Sequence, residues 1–410
     1  MRLFIWLAQR LPLREWYQRH LSHYYVPKNL NIWYLFGALA TLLLINQLIT
    51  GIWLTFGYSP TLSGAFDSVV HYVRDVPSGW LIRELHAAGA SMLFAVLYLH
   101  LFRGLLYGSY QRPRELVWLL GMGLFLVLMI EAFCGYVLPW GNMSYWAAQV
   151  IMDLPTAIPG IGDDLANWLR GGESISQVTL SRLFALHVIG IPLVIAFLTL
   201  LHLTGVRHVG ANNPEGIEIK KHLSPDGTPL DGIPFHPYYT IRDLLGVGVF
   251  LLVFVGIVFF FPTGGGLILE PANAIPANPL QTPAHIAPAW YLTPFYAMLR
   301  AVPDKLGGVI TMAAGLALPF LLPWLDRSKV KSMRYKGRAS SFMLAVMVIS
   351  FIGLGILGLT PVDHAVLPFI GNQLLAQILT ALYLLYFLLM PLYTKFEACR
   401  EPPDRIGGAQ

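Results

Sequence analysis

Four histidines lie inside otherwise apolar, membrane-length segments, two per segment: His86 and His100 in one, His187 and His202 in the other. Ionisable side chains at membrane depth are expensive and mark function, and neutral imidazole is a common metal ligand. The intervals are 14 and 15 residues. At 1.5 Å rise per residue the members of each pair stand about 21–22 Å apart, and the two intervals miss whole turns by only about 40° and 60°. Each pair therefore stays near one helix face. Two helices so marked, facing each other, can hold two metal centres one above the other across most of a bilayer.

The elements that must position these histidines follow from composition. Hydrophobic residues make up 56% of the 410, charged residues 12%, and mean hydropathy is +0.59. Soluble domains carry about a quarter charged residues, so this is an integral membrane protein. Charge-poor stretches of about the 17–25 residues needed to span occur at Ile32–Phe56, Leu85–Phe102, Leu116–Trp140, Leu183–Val206, Leu244–Phe261, Leu306–Leu325, Ala339–Leu359 and Leu367–Tyr393. The expected fold is all-α with eight transmembrane helices. Only the third span contains an internal acid, Glu131. Ahead of them, Met1–Leu21 alternates Phe4, Ile5, Trp6, Leu7 and Leu11 with Arg10, Arg14 and Arg19. It reads as an amphipathic surface helix rather than a signal peptide, lacking an uninterrupted apolar region and a small-residue cleavage site.

An even number of spans puts both termini on one side, which carries 21 of the 27 Lys and Arg, among them Arg327, Lys329, Lys331, Arg334, Lys336 and Arg338. By the positive-inside rule both termini are cytoplasmic. The net charge of +5 thus reports topology and not nucleic-acid binding. Spans two and four run in the same direction, so His86 pairs with His187 at the outer depth and His100 with His202 at the inner depth. The two cysteines, Cys134 and Cys399, lie at different depths and are not expected to pair. They supply neither a Cys-x-x-Cys-His attachment site nor an iron–sulfur ligand set.

Residues 1–210 form the histidine-bearing unit of four spans, 211–243 a cytoplasmic connection rich in Pro, Gly, Asn and charge, and 244–410 a second four-span unit. Two long outer connections, Gly141–Arg182 and Pro262–Lys305, have the length of functional or disordered loops; their Trp, Tyr, Pro and Ile disfavour disorder, and they are expected to pack over the outer face. A flat metal macrocycle with two axial imidazoles needs room between backbones. Gly37 and Gly51 in span one, and Gly121 and Gly135 in span three, are also 14 apart, and small residues allow close approach. Haem fits this pattern better than zinc, whose ligands cluster around one ion. Two axial histidines leave no open iron position, favouring electron transfer over oxygen chemistry. Two non-covalent b-type haems are expected, with Arg83 and Arg103, each three residues from a ligand histidine, available to neutralise propionates.

With these positions placed, the chain resembles cytochrome b of the quinol:cytochrome c oxidoreductase, or bc1 complex, over nearly its whole length. The specific stretches are Gly79-Trp80-Leu81-Ile82-Arg83 leading to His86, Gly104-Leu105-Leu106-Tyr107-Gly108-Ser109-Tyr110, Gly135-Tyr136-Val137-Leu138-Pro139-Trp140-Gly141, Asn212-Asn213-Pro214, Pro234-Phe235-His236-Pro237-Tyr238-Tyr239-Thr240, and Pro288-Ala289-Trp290-Tyr291 followed by Pro303-Asp304-Lys305-Leu306-Gly307-Gly308. The 15-residue interval in span four is similar to the b6f cytochrome, but that family divides these spans between two shorter chains. The resemblance implies a bacterial inner-membrane protein, in a homodimeric complex with a Rieske iron–sulfur protein and cytochrome c1. It implies a low-potential haem at His86 and His187 and a higher-potential haem at His100 and His202. Ubiquinol would be oxidised at an outer site between the long loops, one electron passing to the Rieske protein and the other crossing the haems to reduce ubiquinone at an inner site.

The chain departs from the family pattern at both sites. The outer signature usually has Glu between its Pro and Trp, where this chain has Ala289. Quinol oxidation needs a proton acceptor within hydrogen-bond reach. Tyr136 and Tyr291 match family positions lining that site beside Trp290, yet a phenol of pKa about 10 is a poor base. His285, four residues before Ala289, and Glu131, one turn before Gly135, are the candidate acceptors. Ala147, where many relatives have Gly, adds a methyl to the same site. At the inner site Asp243 matches the family's acid, Arg242 stands where Lys is common, and Arg207, with His208 beside it, stands where a quinone-binding His is usual.

Two other readings are weaker. A transporter would tend to show inverted repeats and broken helices, and the sequence shows no such internal symmetry. A di-haem dehydrogenase anchor would have no use for the long Pro262–Lys305 loop with its Trp290-Tyr291.

Overall fold

The computed structural model describes residues 6, 10, 11, 15, 23–361 and 365–407. The amphipathic helix expected over Met1–Leu21 therefore falls almost wholly outside the described residues. Seven helices are long and apolar enough to cross a membrane: Ile32–Thr55, Gly79–Tyr107, Glu115–Val137, Gln177–Val209, Phe235–Phe260, Lys305–Leu325 and Arg338–Leu359. The eighth crossing is a bent pair, Asn372–Leu388 with Met390–Phe396, turned by 53°. It begins later than the expected Leu367 and breaks at Leu389, because Pro391 at the start of the second piece cannot donate to the preceding turn and clashes with it. Span two is longer than expected, running from Gly79 to Tyr107, so the Gly79-Trp80 stretch and Arg83 belong to the helix that carries His86.

These helices are apolar on every side, as membrane-buried helices are. In span five Leu245, Leu252 and Phe260 are 71, 76 and 88% exposed, apolar surface that needs lipid or another apolar surface over it. Span one packs along span two, and span three along span four, so the histidine-bearing helices each lie beside a glycine-bearing one. The short helix Thr293–Ala301 packs against span seven and the first part of span eight, and its buried Ala297 and Met298 belong to the same hydrophobic core as Phe94 and Phe125 of the histidine-bearing half.

The long connections are structured. Gly141–Arg182, expected as an outer loop, contains the helices Asn142–Asp153 and Gly162–Arg170 and the first turns of span four. The connection expected over 211–243 runs, after non-helical backbone at His236, into the helix Thr240–Phe260, close to the expected boundary. It is tied down by an antiparallel pair of strands, Tyr25–Pro27 with Gly232–Pro234. Beside them the buried Asp231 carboxylate pairs with Lys28 at 3.0 Å and Arg405 at 2.6 Å, joining segments from the start, middle and end of the chain. Glu218 accepts two bonds from the buried Arg114, at 2.6 and 2.9 Å, and one from Lys331. Burial raises its pKa, but these cations outweigh that and leave it at about 2. Its stabilisation is present above the unfolded carboxyl pKa of about 4.3 and is lost as pH falls toward 2.

A second clamp is buried on the same side. Lys336 Nζ lies 2.5 Å from Asp326 Oδ2, with side-chain exposures of 2 and 0%, and Tyr110 and Gln111 donate to the same oxygen at 2.6 and 2.8 Å. It joins the loop after span two to the loop between spans six and seven. Removing one partner strands the other charge, so Lys336→Met is expected to destabilise the protein by about 3–5 kcal/mol. Denaturant titration of the solubilised protein checks this; a midpoint unchanged from wild type would show that Tyr110 and Gln111 suffice.

Candidate functional site

The four histidines meet in two pairs. The ring centres of His86 and His187 are 6.2 Å apart and those of His100 and His202 are 6.5 Å apart. Two imidazoles sharing one metal, each nitrogen about 2 Å from it, need ring centres separated by about 6 Å. The unequal intervals are reconciled by a wide π-turn at Leu186–Gly190, which includes His187. A π-turn takes up one extra residue, so the 15-residue interval of span four acts as the 14-residue interval of span two.

Three of the four imidazoles are held from behind. Thr50 Oγ1 lies 2.8 Å from His86 Nδ1, the Val117 carbonyl accepts from His202 Nδ1 at 3.0 Å, and the Glu131 carbonyl accepts from His187 Nδ1 at 3.1 Å. These contacts leave Nε2 of each ring as the nitrogen for a metal. His100 Nδ1 is buried without a hydrogen-bond partner among the described residues. The glycines do more than open space for a ring between helices, because each abuts one imidazole. A Cβ on Gly37, Gly51 or Gly121 would lie 3.3, 3.3 or 3.2 Å from Cε1 of His100, His86 or His202, and one on Gly135 would lie 2.5 Å from Cε1 of His187.

Among the described residues no three His, Cys, Asp or Glu side chains form a group that could hold a bare ion. Paired imidazoles in glycine cradles instead suit a metal that brings its own equatorial ligands, as haem does. Arg103, near the C-terminal end of span two, lies 4.9 Å over the Tyr34 ring, and its buried Nε has no hydrogen-bond acceptor among the described residues, which fits a propionate. Arg83 differs: its Nη1 is 2.7 Å from Oε1 of the adjacent Glu84, whose Oε2 is buried and unpartnered. Glu84 is a site-adjacent acid that the span boundary expected at Leu85 left out of the helix. Cys134 and Cys399 are both free thiols.

On the outer-pair side a small pocket is lined by Ala132, Phe133, Tyr136, Ala147, Ile151, Pro288, Ala289, Tyr291 and Leu292. Tyr136 follows Gly135, so the cavity begins one residue from the glycine that faces His187. Three expected residues, Tyr136, Ala147 and Tyr291, thus meet around Ala289. Trp290, His285 and Glu131 are not in the lining. Trp290 donates its indole N–H to Ser91 at 2.6 Å, because neighbours in a tight turn point apart. Span two holds this turn through Tyr98, which donates to the Tyr291 carbonyl, and Phe94, which stacks on Tyr291 at 4.0 Å and 3°. Burial raises the Tyr291 pKa above its ordinary value, so the phenol stays protonated and acts as a hydrogen-bond donor.

At the inner end, Asp243 sits in the first turn of the helix Thr240–Phe260 and pairs with Arg242 at 3.0 Å. The Arg242 guanidinium also donates to the Leu30 carbonyl at 2.5 Å and lies 4.1 Å from the Tyr239 ring. Arg207 lies 5.3 Å over Tyr24, and Tyr24, Phe235 and Tyr239 follow each other at 6.1 and 6.5 Å. Arg207, Arg242 and Asp243 are therefore linked by one row of aromatic rings. His208 is exposed outside it, its carbonyl accepting from Lys220 at 2.8 Å.

Residues 21–210 match the family profile described as Cytochrome b/b6/petB, and residues 276–392 match that described as Cytochrome b(C-terminal)/b6/petD. Cytochrome b of Allochromatium vinosum is 53% identical over 98% of this chain and 97% of its own length. A protein of Bradyrhizobium diazoefficiens named cytochrome b/c1 is 42% identical over 98% of this chain and 56% of its own length. A solved structure titled hyperthermophilic respiratory Complex III superposes with a TM-score of 0.87 at 39% identity, covering 95% of this chain and 98% of the other. The chain is a multi-pass membrane protein that belongs to the cytochrome b family, the catalytic core of quinol:cytochrome c oxidoreductase.

Proposed function

We propose that this chain is the di-haem core of a bacterial bc1-type complex, oxidising quinol at the outer cavity and reducing quinone at the inner site, with both termini cytoplasmic. The observation that supports it most is the pair of imidazole separations, 6.2 and 6.5 Å, each suited to one metal, beside an aromatic-lined cavity. Two b-type haems, one on His86 and His187 and one on His100 and His202, would supply one-electron transfer across the membrane. Arg103 is placed to neutralise an inner propionate, and Arg83 to share its charge between Glu84 and an outer one. A Rieske iron–sulfur protein and cytochrome c1 are the partners; the fused name of the Bradyrhizobium relative supports the second. The assembled complex in inner membrane should show b-type bands in a reduced-minus-oxidised spectrum and ubiquinol-dependent cytochrome c reduction. Absence of either overturns the reading.

At the outer cavity Tyr136 and Tyr291 orient the quinol head, Ala147 narrows the space, and Trp290 anchors the turn through Ser91. The lining has no carboxylate or imidazole, because Ala289 supplies only a methyl. Of the two candidate acceptors, Glu131 is turned to His187. The proton role is assigned to His285, in the same loop as Ala289 but outside the lining, so that it would act through one bridging water. A positioned base contributes about 10²–10⁴-fold, so His285→Asn is expected to lower ubiquinol-dependent cytochrome c reduction about 100-fold, and adding Ala289→Glu is expected to restore it. Unchanged turnover in His285→Asn would sink the assignment. At the inner site, Asp243 and Arg242 meet the quinone head, with Arg207 at the far end of the aromatic row.

A further inference from the structure

Span three carries one carboxylate in an apolar helix, where a charge is costly and calls for a role. That role is not contact with the outer cavity, whose lining includes Ala132, Phe133 and Tyr136 of the same helix but not Glu131. Glu131 Oε1 lies 3.1 Å from His187 Nδ1, and the residue's own carbonyl lies 3.1 Å from the same nitrogen. Side-chain exposures are 16% for Glu131 and 17% for His187. Glu131 Oε2 is buried without a hydrogen-bond partner among the described residues. The other three imidazoles have nothing comparable. His86 Nδ1 meets a hydroxyl, His202 Nδ1 meets a carbonyl, and His100 Nδ1 meets no partner.

We propose that Glu131 is a positioning residue for the outer haem: its carboxylate shares the Nδ1–H of His187 and lowers the reduction potential of that haem alone. A carboxylate behind a metal-bound imidazole fixes the ring and raises its basicity as a ligand. A more basic ligand stabilises the oxidised, more positively charged iron. The backbone carbonyl makes a second contact with the same N–H, so the tautomer survives when the side chain is changed. Charge and ring orientation can therefore be separated by mutation. This rests on His187 being a haem ligand, as proposed above.

Equilibrium redox titration of the assembled complex, followed optically, tests it in wild type, Glu131→Gln, Glu131→Leu and His187→Leu. Glu131→Gln keeps size and polarity while removing the charge. It is expected to shift the reduction equilibrium of one haem about tenfold toward the reduced form, about 59 mV for one electron, and to leave the other haem unmoved. Glu131→Leu should shift the same haem in the same direction. No shift in either variant, or an equal shift of both haems, overturns the proposal. His187→Leu is expected to lose the haem that Glu131→Gln moves. Retention of both haems in His187→Leu would instead refute the ligand assignment, and so separates that failure from a failure of the tuning role.

Discussion

In the assembled complex His202→Leu is expected to halve the b-type absorbance and reduce ubiquinol-dependent cytochrome c reduction to background. Leucine cannot ligate a metal, and the remaining inner imidazole, His100, has no hydrogen bond at Nδ1 to fix its ring or strengthen it as a donor. The inner centre is therefore left with a single axial imidazole whose ring is poorly fixed. His187→Leu should also halve the absorbance, and the residual spectra of the two variants should differ, since each retains a different centre. A double variant should have no b-type band. Pyridine haemochrome quantification against protein checks the stoichiometry, and full haem content in either single variant would refute the pairing.

The second large effect is expected at Gly135. Its added Cβ would stand 2.5 Å from His187 Cε1, 2.9 Å from Nε2 and 3.1 Å from Nδ1, well inside ordinary contact. Overpacking of this kind costs about 1–3 kcal/mol, and here it falls on a ring that Glu131 holds from behind. Gly135→Ala is thus expected to lose the outer haem and with it quinol oxidation. The same change at Gly37, Gly51 or Gly121 meets Cε1 at 3.3, 3.3 and 3.2 Å, where a shift of a few tenths of an ångström suffices. Those three variants should keep both haems. Haem occupancy in the four purified variants checks the gradation; full occupancy in Gly135→Ala would show that the helices yield more easily than the ring contact implies.

The spans were legible in the sequence because a bilayer requires uninterrupted apolar length, and the sequence shows it directly. Their ends were less so. The extension of span two to Gly79 passes through Arg83 and Glu84, and neutralisation by the pair, 2.7 Å apart, is invisible in a charge count. The break at Leu389 was signalled by Pro391, though its 53° angle depends on what the two pieces pack against. The helices within Gly141–Arg182 were hidden because short surface helices lack the run length that identifies a span.

At the site, residue type and interval were sufficient to mark His86, His100, His187, His202 and their matching glycines. Helical rise converts spacing into depth wherever the chain is helical. What spacing could not supply was hydrogen-bond register and side-chain direction. The π-turn at Leu186–Gly190, which turns a 15-residue interval into an effective 14, is one extra residue in a ladder, and packing decides whether a helix takes it. Glu131 reads from sequence as a stray acid near the outer cavity, and Trp290 as a lining residue. Tertiary packing instead set the first on His187 and the second on Ser91. Sequence thus determined that two metal centres could be stacked across a membrane, because membrane length and helical period are local properties. Only the tertiary structure decided which group stands behind each imidazole and which side chains line the cavity beside Ala289, because those directions are set by neighbouring helices remote in sequence.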